Sequence, residues 1–111
     1  MADVKLNTTY DFELADGNKV ELTLAFYKLY QLRSKRKALY ERYNKIMSNN
    51  AKGGGSDELD TITVLYVAYV CANMHKELDD LLSEEEFMML CGSDRIAVNT
   101  ALEHLITPKK A

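Results

Sequence analysis

Thr61-Ile62-Thr63-Val64-Leu65-Tyr66-Val67-Ala68-Tyr69-Val70-Cys71-Ala72-Asn73 is the stretch around which the rest of the chain has to be arranged. With Leu59 just ahead of it, the stretch is apolar nearly all round, so a helix here has no side to spare for water and must be covered on several sides. Its β-branched residues would also suit a strand, but the length and the two alanines favour a helix. Ser56 or Asp57 is placed to cap it, and it is expected to run to about His75. The apolar run from Ile62 to Met74 is interrupted by Thr63 and Asn73 and is shorter than the ~18 residues of a membrane span. It reads as a central core helix and not as a membrane anchor.

The segments on either side supply the cover. Upstream, Tyr10-Asp11-Phe12-Glu13-Leu14 and Val20-Glu21-Leu22-Thr23-Leu24 alternate apolar and polar residues with period two. Asp16-Gly17 between them is a strong hairpin-turn signal, because glycine takes positive φ without strain. Phe12 and Leu14 then share one face, as do Val20, Leu22 and Leu24, and that face must rest on something. From Ala25 to about Met47 the period becomes helical, with Leu29, Leu32, Leu39, Tyr40, Tyr43, Ile46 and Met47 near one stripe. Read as one helix it would be roughly 34 Å long at 1.5 Å per residue, long enough for part of it to protrude. Asn49 to Ser56, with Gly53-Gly54-Gly55, has the composition of a flexible linker.

Downstream, Ser83-Glu84-Glu85-Glu86 is a capping box that opens a helix carrying Phe87, Met88, Leu90 and Cys91, with Gly92 at its end. Ser93 or Asp94 caps a last helix to about Ile106, its Val98, Ala101, Leu102 and Leu105 on one face, and Pro108 blocks continuation. The expected fold is α+β and mostly α: an N-terminal β-hairpin followed by about four helices in a small bundle. The expected organisation is a single domain over 1–111. Its parts are the hairpin at 10–24, a long basic helix at 25–48, the linker at 49–56, a helical part at 57–106 and a basic tail at 107–111.

The net charge of −3 hides a dipole. Lys28, Arg33, Lys35, Arg36, Lys37, Arg42 and Lys45 face only Glu41 in one segment, whereas Glu77, Asp79, Asp80, Glu84, Glu85 and Glu86 fill another without a base. Opposite poles can pair within the fold, steer a partner, or hold copies head to tail. Cys71 and Cys91 lie in apolar helical patterns without a spacing motif, which suits reduced thiols acting as small hydrophobes. The N-terminus has no basic region followed by an apolar core, so no secretory signal is read and the chain is expected in the cytoplasm.

Signatures of chemistry are weak throughout. His75 and His104 each stand alone, without ligands at metal-binding spacing. Gly53-Gly54-Gly55 lacks the Lys-Ser/Thr and the preceding strand of a phosphate loop. The acidic stretch from Glu77 to Glu86 has Leu78, Leu81 and Leu82 where a calcium loop needs oxygen ligands and a central glycine. No cofactor, no metal and no catalytic residue is expected. Arg33-Ser34-Lys35-Arg36-Lys37 with Tyr27, Tyr30, Tyr40 and Tyr43 around it could meet phosphates and bases. The tyrosines, however, fall at helical spacing and the overall charge is negative, which favours a solvated helix face or a protein-binding pole over nucleic acid. Seven Tyr, five Met and no Trp add amphipathic, adaptable contact surface.

Taken together, several segments resemble the tail assembly chaperones of long-tailed phages and prophages of Gram-positive bacteria. They are the hairpin-like start, the basic helix Leu32-Arg33-Ser34-Lys35-Arg36-Lys37-Ala38-Leu39-Tyr40-Glu41-Arg42-Tyr43-Asn44, the Thr61–Asn73 helix, the Glu84-Glu85-Glu86-Phe87 helix start and the closing Leu105-Ile106-Thr107-Pro108-Lys109-Lys110. The likeness covers most of the chain from about Tyr10, and its most specific part is Leu65-Tyr66-Val67-Ala68-Tyr69-Val70-Cys71-Ala72-Asn73. The resemblance implies a non-enzymatic protein of the host cytoplasm that coats the tape-measure protein, keeps it soluble, and is absent from the finished virion. It implies further contacts with the tail tube protein and self-association. It also implies a longer frameshifted form of the chain, for which Lys109-Lys110 could be encoded by a slippery A-rich run. Tyr27, Tyr30, Arg33, Arg36, Tyr40 and Tyr43 are the candidate partner-binding residues. The alternative is a small regulator that binds nucleic acid, or a nucleic-acid enzyme, through the basic helix.

Overall fold

The computed structural model describes residues 9–51, 58–74, 76, 80–92 and 95–106. Among them the chain forms strands β1 (Thr9–Glu13) and β2 (Lys19–Thr23), then helices α1 (Phe26–Lys35), α2 (Lys37–Ala51), α3 (Glu58–Ala72), α4 (Glu84–Cys91) and α5 (Arg95–Ile106). This is the small α+β, mostly helical fold that the patterning predicts, with a two-stranded antiparallel hairpin in front. Tyr10 faces Leu22 and Phe12 faces Val20 across the hairpin. At the turn, Gly17 takes φ +89° and donates its N–H to Leu14 O at 2.9 Å. The Asp16 carboxylate accepts from both the backbone and the side-chain N–H of Asn18 (3.0 and 3.1 Å), the local reason Asp precedes the glycine.

The predicted central helix is α3. From Thr61 to Cys71 every residue except Ile62 is buried, and Leu65, Val67, Ala68, Val70 and Cys71 are fully so. The hairpin lays Phe12, Leu14, Leu22 and Leu24 onto this core, α1 contributes Leu29 and Leu32, and α2 contributes Ile46. Phe87 of α4 and Val98 and Ala101 of α5 close the same cluster. Phe87 is the aromatic hub, with its ring 5.6 Å from Tyr66, 5.4 Å from Tyr69 and 6.5 Å from Phe12. Both cysteines are free and buried in this cluster.

The capping box forms as read: Ser83 Oγ accepts from Glu86 N–H at 3.2 Å, and the Glu86 carboxylate accepts from Ser83 N–H at 2.9 Å. Gly92 ends α4 with φ +66°. The long helix expected over 25–48 is instead two helices. Arg36 has φ −141° and ψ 66°, outside helical values, and its N–H donates to Leu32 O as a C-cap. No proline or glycine causes this break. A straight rod would carry the second half of the stripe away from α3, whereas the break lets α2 fold back so that Ile46 is buried and Leu39, Tyr43 and Met47 pack on the core. Cations at Arg33 and Lys35 suit the negative end of α1. Residues 49–51, expected in the linker, instead belong to α2, which continues to Ala51. Gly53-Gly54-Gly55, the caps at Ser56 or Asp57 and at Ser93 or Asp94, His75, the acids from Glu77 to Asp79 and the basic tail lie outside the described residues.

Candidate functional site

The break at Arg36 sets α2 beside α1, and the two helices enclose a groove of about 370 Å³. Its walls are two matching stripes. Phe26, Leu29, Tyr30 and Arg33 come from α1, and Tyr40, Tyr43, Asn44 and Met47 from α2. Each set has i, i+3, i+4, i+7 spacing, the arrangement that places side chains in one line along a helix. Leu29 is buried and serves the core, but Phe26 is 89% exposed and Tyr30 62% exposed. Tyr40, Tyr43 and Met47 are half-buried, packing on the core with one side and lining the groove with the other. The Tyr40 and Tyr43 rings lie 6.2 Å apart, and burial, the largest cause, holds the Tyr43 phenol above its ordinary pKa.

Arg33 spans the groove at one end. Its guanidinium sits 5.6 Å from the Tyr30 ring and 6.0 Å from the Tyr40 ring. Such cation–π contacts are worth about 0.5–1 kcal/mol when exposed. They leave the positive charge free to meet an acidic group of an incoming segment. An apolar groove with a single cation on its rim suits an amphipathic helix laid along it. Among the described lining residues Arg33 is the one cation, whereas tracking a nucleic-acid backbone calls for a row of cations beside the rings.

Of the candidate residues, the structure brings together Tyr30, Arg33, Tyr40 and Tyr43. Tyr27 does not line the groove: its hydroxyl accepts from the Gln31 side chain at 3.1 Å and the Lys28 ammonium lies 5.6 Å from its ring. Arg36 is half-buried at the break, near enough to Tyr66 to favour the ionised form of its phenol against the larger, opposing effect of burial. Phe26, missing from the sequence-derived set, is the most exposed aromatic of the groove. It could have been found from spacing, since it precedes Tyr30 by one helical step of four.

The charge dipole is partly closed within the fold. Arg42 makes a two-pronged ion pair with Glu84 (2.7 and 2.8 Å), and the Glu84 carboxylate also accepts from the Thr63 hydroxyl at 3.2 Å. The Arg42 hydrogen bond is the largest influence holding the Glu84 carboxyl below its usual pKa. Burial pushes the Cys71 thiol up to about 12 and the Cys91 thiol to about 11, so neither is a ready nucleophile. Among the described residues no three His, Cys, Asp or Glu side chains gather as metal ligands, and no helix is long and apolar enough to cross a membrane. Comparison with protein-family models, with curated proteins and with solved structures found no match.

Proposed function

We propose that the chain is a phage tail assembly chaperone that binds the tape-measure protein and keeps it soluble, without catalysing a reaction. The observation that carries this reading is the α1–α2 groove, where exposed Phe26 and Tyr30 face half-buried Tyr40, Tyr43 and Met47 under one arginine. Exposed aromatic surface with this spacing costs solubility unless a partner covers it, and aromatic and arginine side chains dominate the energetics of protein interfaces. A tape-measure chain is long and largely helical and exposes apolar stripes before the tube encloses it. Each stripe is an amphipathic segment of the kind the groove accommodates. The resemblance of the Leu65–Asn73 helix and the flanking segments to tail assembly chaperones supports the same partner. It also supports action in the host cytoplasm before the virion is complete, with the tail tube protein and a longer frameshifted form of the chain as further partners.

The test is co-expression with the tape-measure protein of the same phage or prophage, followed by affinity capture. A chaperone brings the long protein into the soluble fraction and co-purifies with it in many copies. Capture of nucleic acid instead, with affinity that falls steeply as salt rises, would replace this function with that of a nucleic-acid-binding regulator.

A further inference from the structure

Among the described residues strand β1 pairs with β2 alone, and the phase of the hairpin shows which of its backbone groups point the other way. Leu14 N–H donates to Asn18 O at 2.7 Å. By alternation Phe12 and Tyr10 also turn their backbone groups toward β2, while those of Asp11, Glu13 and Ala15 point outward. Ala15 agrees with that phase, since its N–H leaves the hairpin and donates to Leu90 O of α4 at 2.7 Å. For the outward groups of Asp11 and Glu13 there is no backbone partner among the described residues. They open into a cleft of about 550 Å³ bounded by β1, Cys91 and Gly92 at the end of α4, and Ala97 of α5. An unpaired strand edge beside such a space is what accepts an added strand.

We propose that the outer edge of β1 is a strand-addition site for an extended segment of a partner protein that carries Lys or Arg at alternate positions. Charge selects this occupant. Asp11, Glu13 and the cross-strand Glu21 are all exposed, and among the described residues of the hairpin Lys19 offsets them. A residue paired directly opposite Asp11 or Glu13 shares its face of the sheet, so a cation there is favoured and an acid is not. The alternate residues fall on the face of buried Phe12 and Leu14, which calls for apolar side chains there. A second copy of β1 would bring Asp and Glu against Asp and Glu, which disfavours pairing of the chain with itself. The edge belongs to a different element from the α1–α2 groove, so the two surfaces stand or fall separately.

The probe is a short synthetic peptide of alternating lysine and valine, added to the full chain, with alternating glutamate and valine as control. Saturating lysine–valine peptide slows amide exchange at Asp11 and Glu13 by at least about tenfold, and the glutamate peptide does not. The double variant Asp11→Lys/Glu13→Lys reverses that preference. Glu13→Pro removes an outward N–H while leaving the bonds to β2 in place, and so weakens the lysine–valine peptide. Unchanged exchange at both amides, or equal slowing by both peptides, overturns the proposal. So does protection that grows with protein concentration in the absence of peptide, because the edge is then taken by another copy.

Discussion

Leu82 is held from both sides of its backbone by the central helix: the Tyr66 hydroxyl donates to its carbonyl at 2.9 Å, and its own N–H donates to the Tyr69 hydroxyl at 2.9 Å. Two tyrosines one helical turn apart thereby dock the chain just ahead of α4 and aim Phe87 into the core. Tyr69→Phe leaves a half-buried N–H without a partner, and we expect it to lower stability by about 1–3 kcal/mol in urea unfolding, with Tyr66→Phe costing about 0.5–1.5 kcal/mol. The Arg42–Glu84 pair is more exposed and weaker. Because the folded-state pKa of Glu84 is depressed, its contribution is present above the unfolded carboxyl pKa and is lost as pH falls through the folded one. Glu84→Gln is expected to cost no more than about 1 kcal/mol at neutral pH. That difference should vanish in acid, which thermal unfolding across the pH range would show. At this scale the sequence was legible where partners are local, as in the Ser83–Glu86 capping box. The tyrosine bonds to Leu82 join residues 16 and 13 positions apart and exist only once α3 and α4 are packed.

The break between α1 and α2 has the largest consequence of any single element feature. Apolar positions keep helical phase from Leu32 through Leu39, so periodicity alone joins the two helices. The contrary signal was the pair Arg33 and Lys35, cations that suit the negative end of a helix, with no proline or glycine to announce a break. What decides the matter is tertiary: the apolar side of α2 reaches α3 only if the chain bends. Lys37→Pro separates the two possibilities. At the first position of a helix proline fits and no intrahelical N–H bond is lost, so we expect stability within about 1 kcal/mol of the parent. In the interior of one continuous helix the same change costs about 3 kcal/mol or more. Circular dichroism with chemical denaturation reads the difference. The hairpin and α3 were plain in the sequence because strand alternation with Asp-Gly, and an apolar surface all round, each leave little choice.

For the molecule as a whole, one core joins the hairpin to all five described helices and leaves the α1–α2 aromatic groove on its surface. Four of the six residues singled out from the sequence line it. Tyr27 and Arg36 do not, because the bend sets which side of each helix faces the other. Phe26 and Tyr30 are so exposed that replacing them has little to disturb, and Phe26→Ser/Tyr30→Ser should keep stability within about 1 kcal/mol. The most direct test of the groove as the partner-binding surface is therefore co-expression of the tape-measure protein with the parent chain and with this double variant, each scored for soluble, co-purified partner. The groove account predicts that the parent holds the long protein in solution while the folded double variant loses it. Equal solubilisation by both would contradict it.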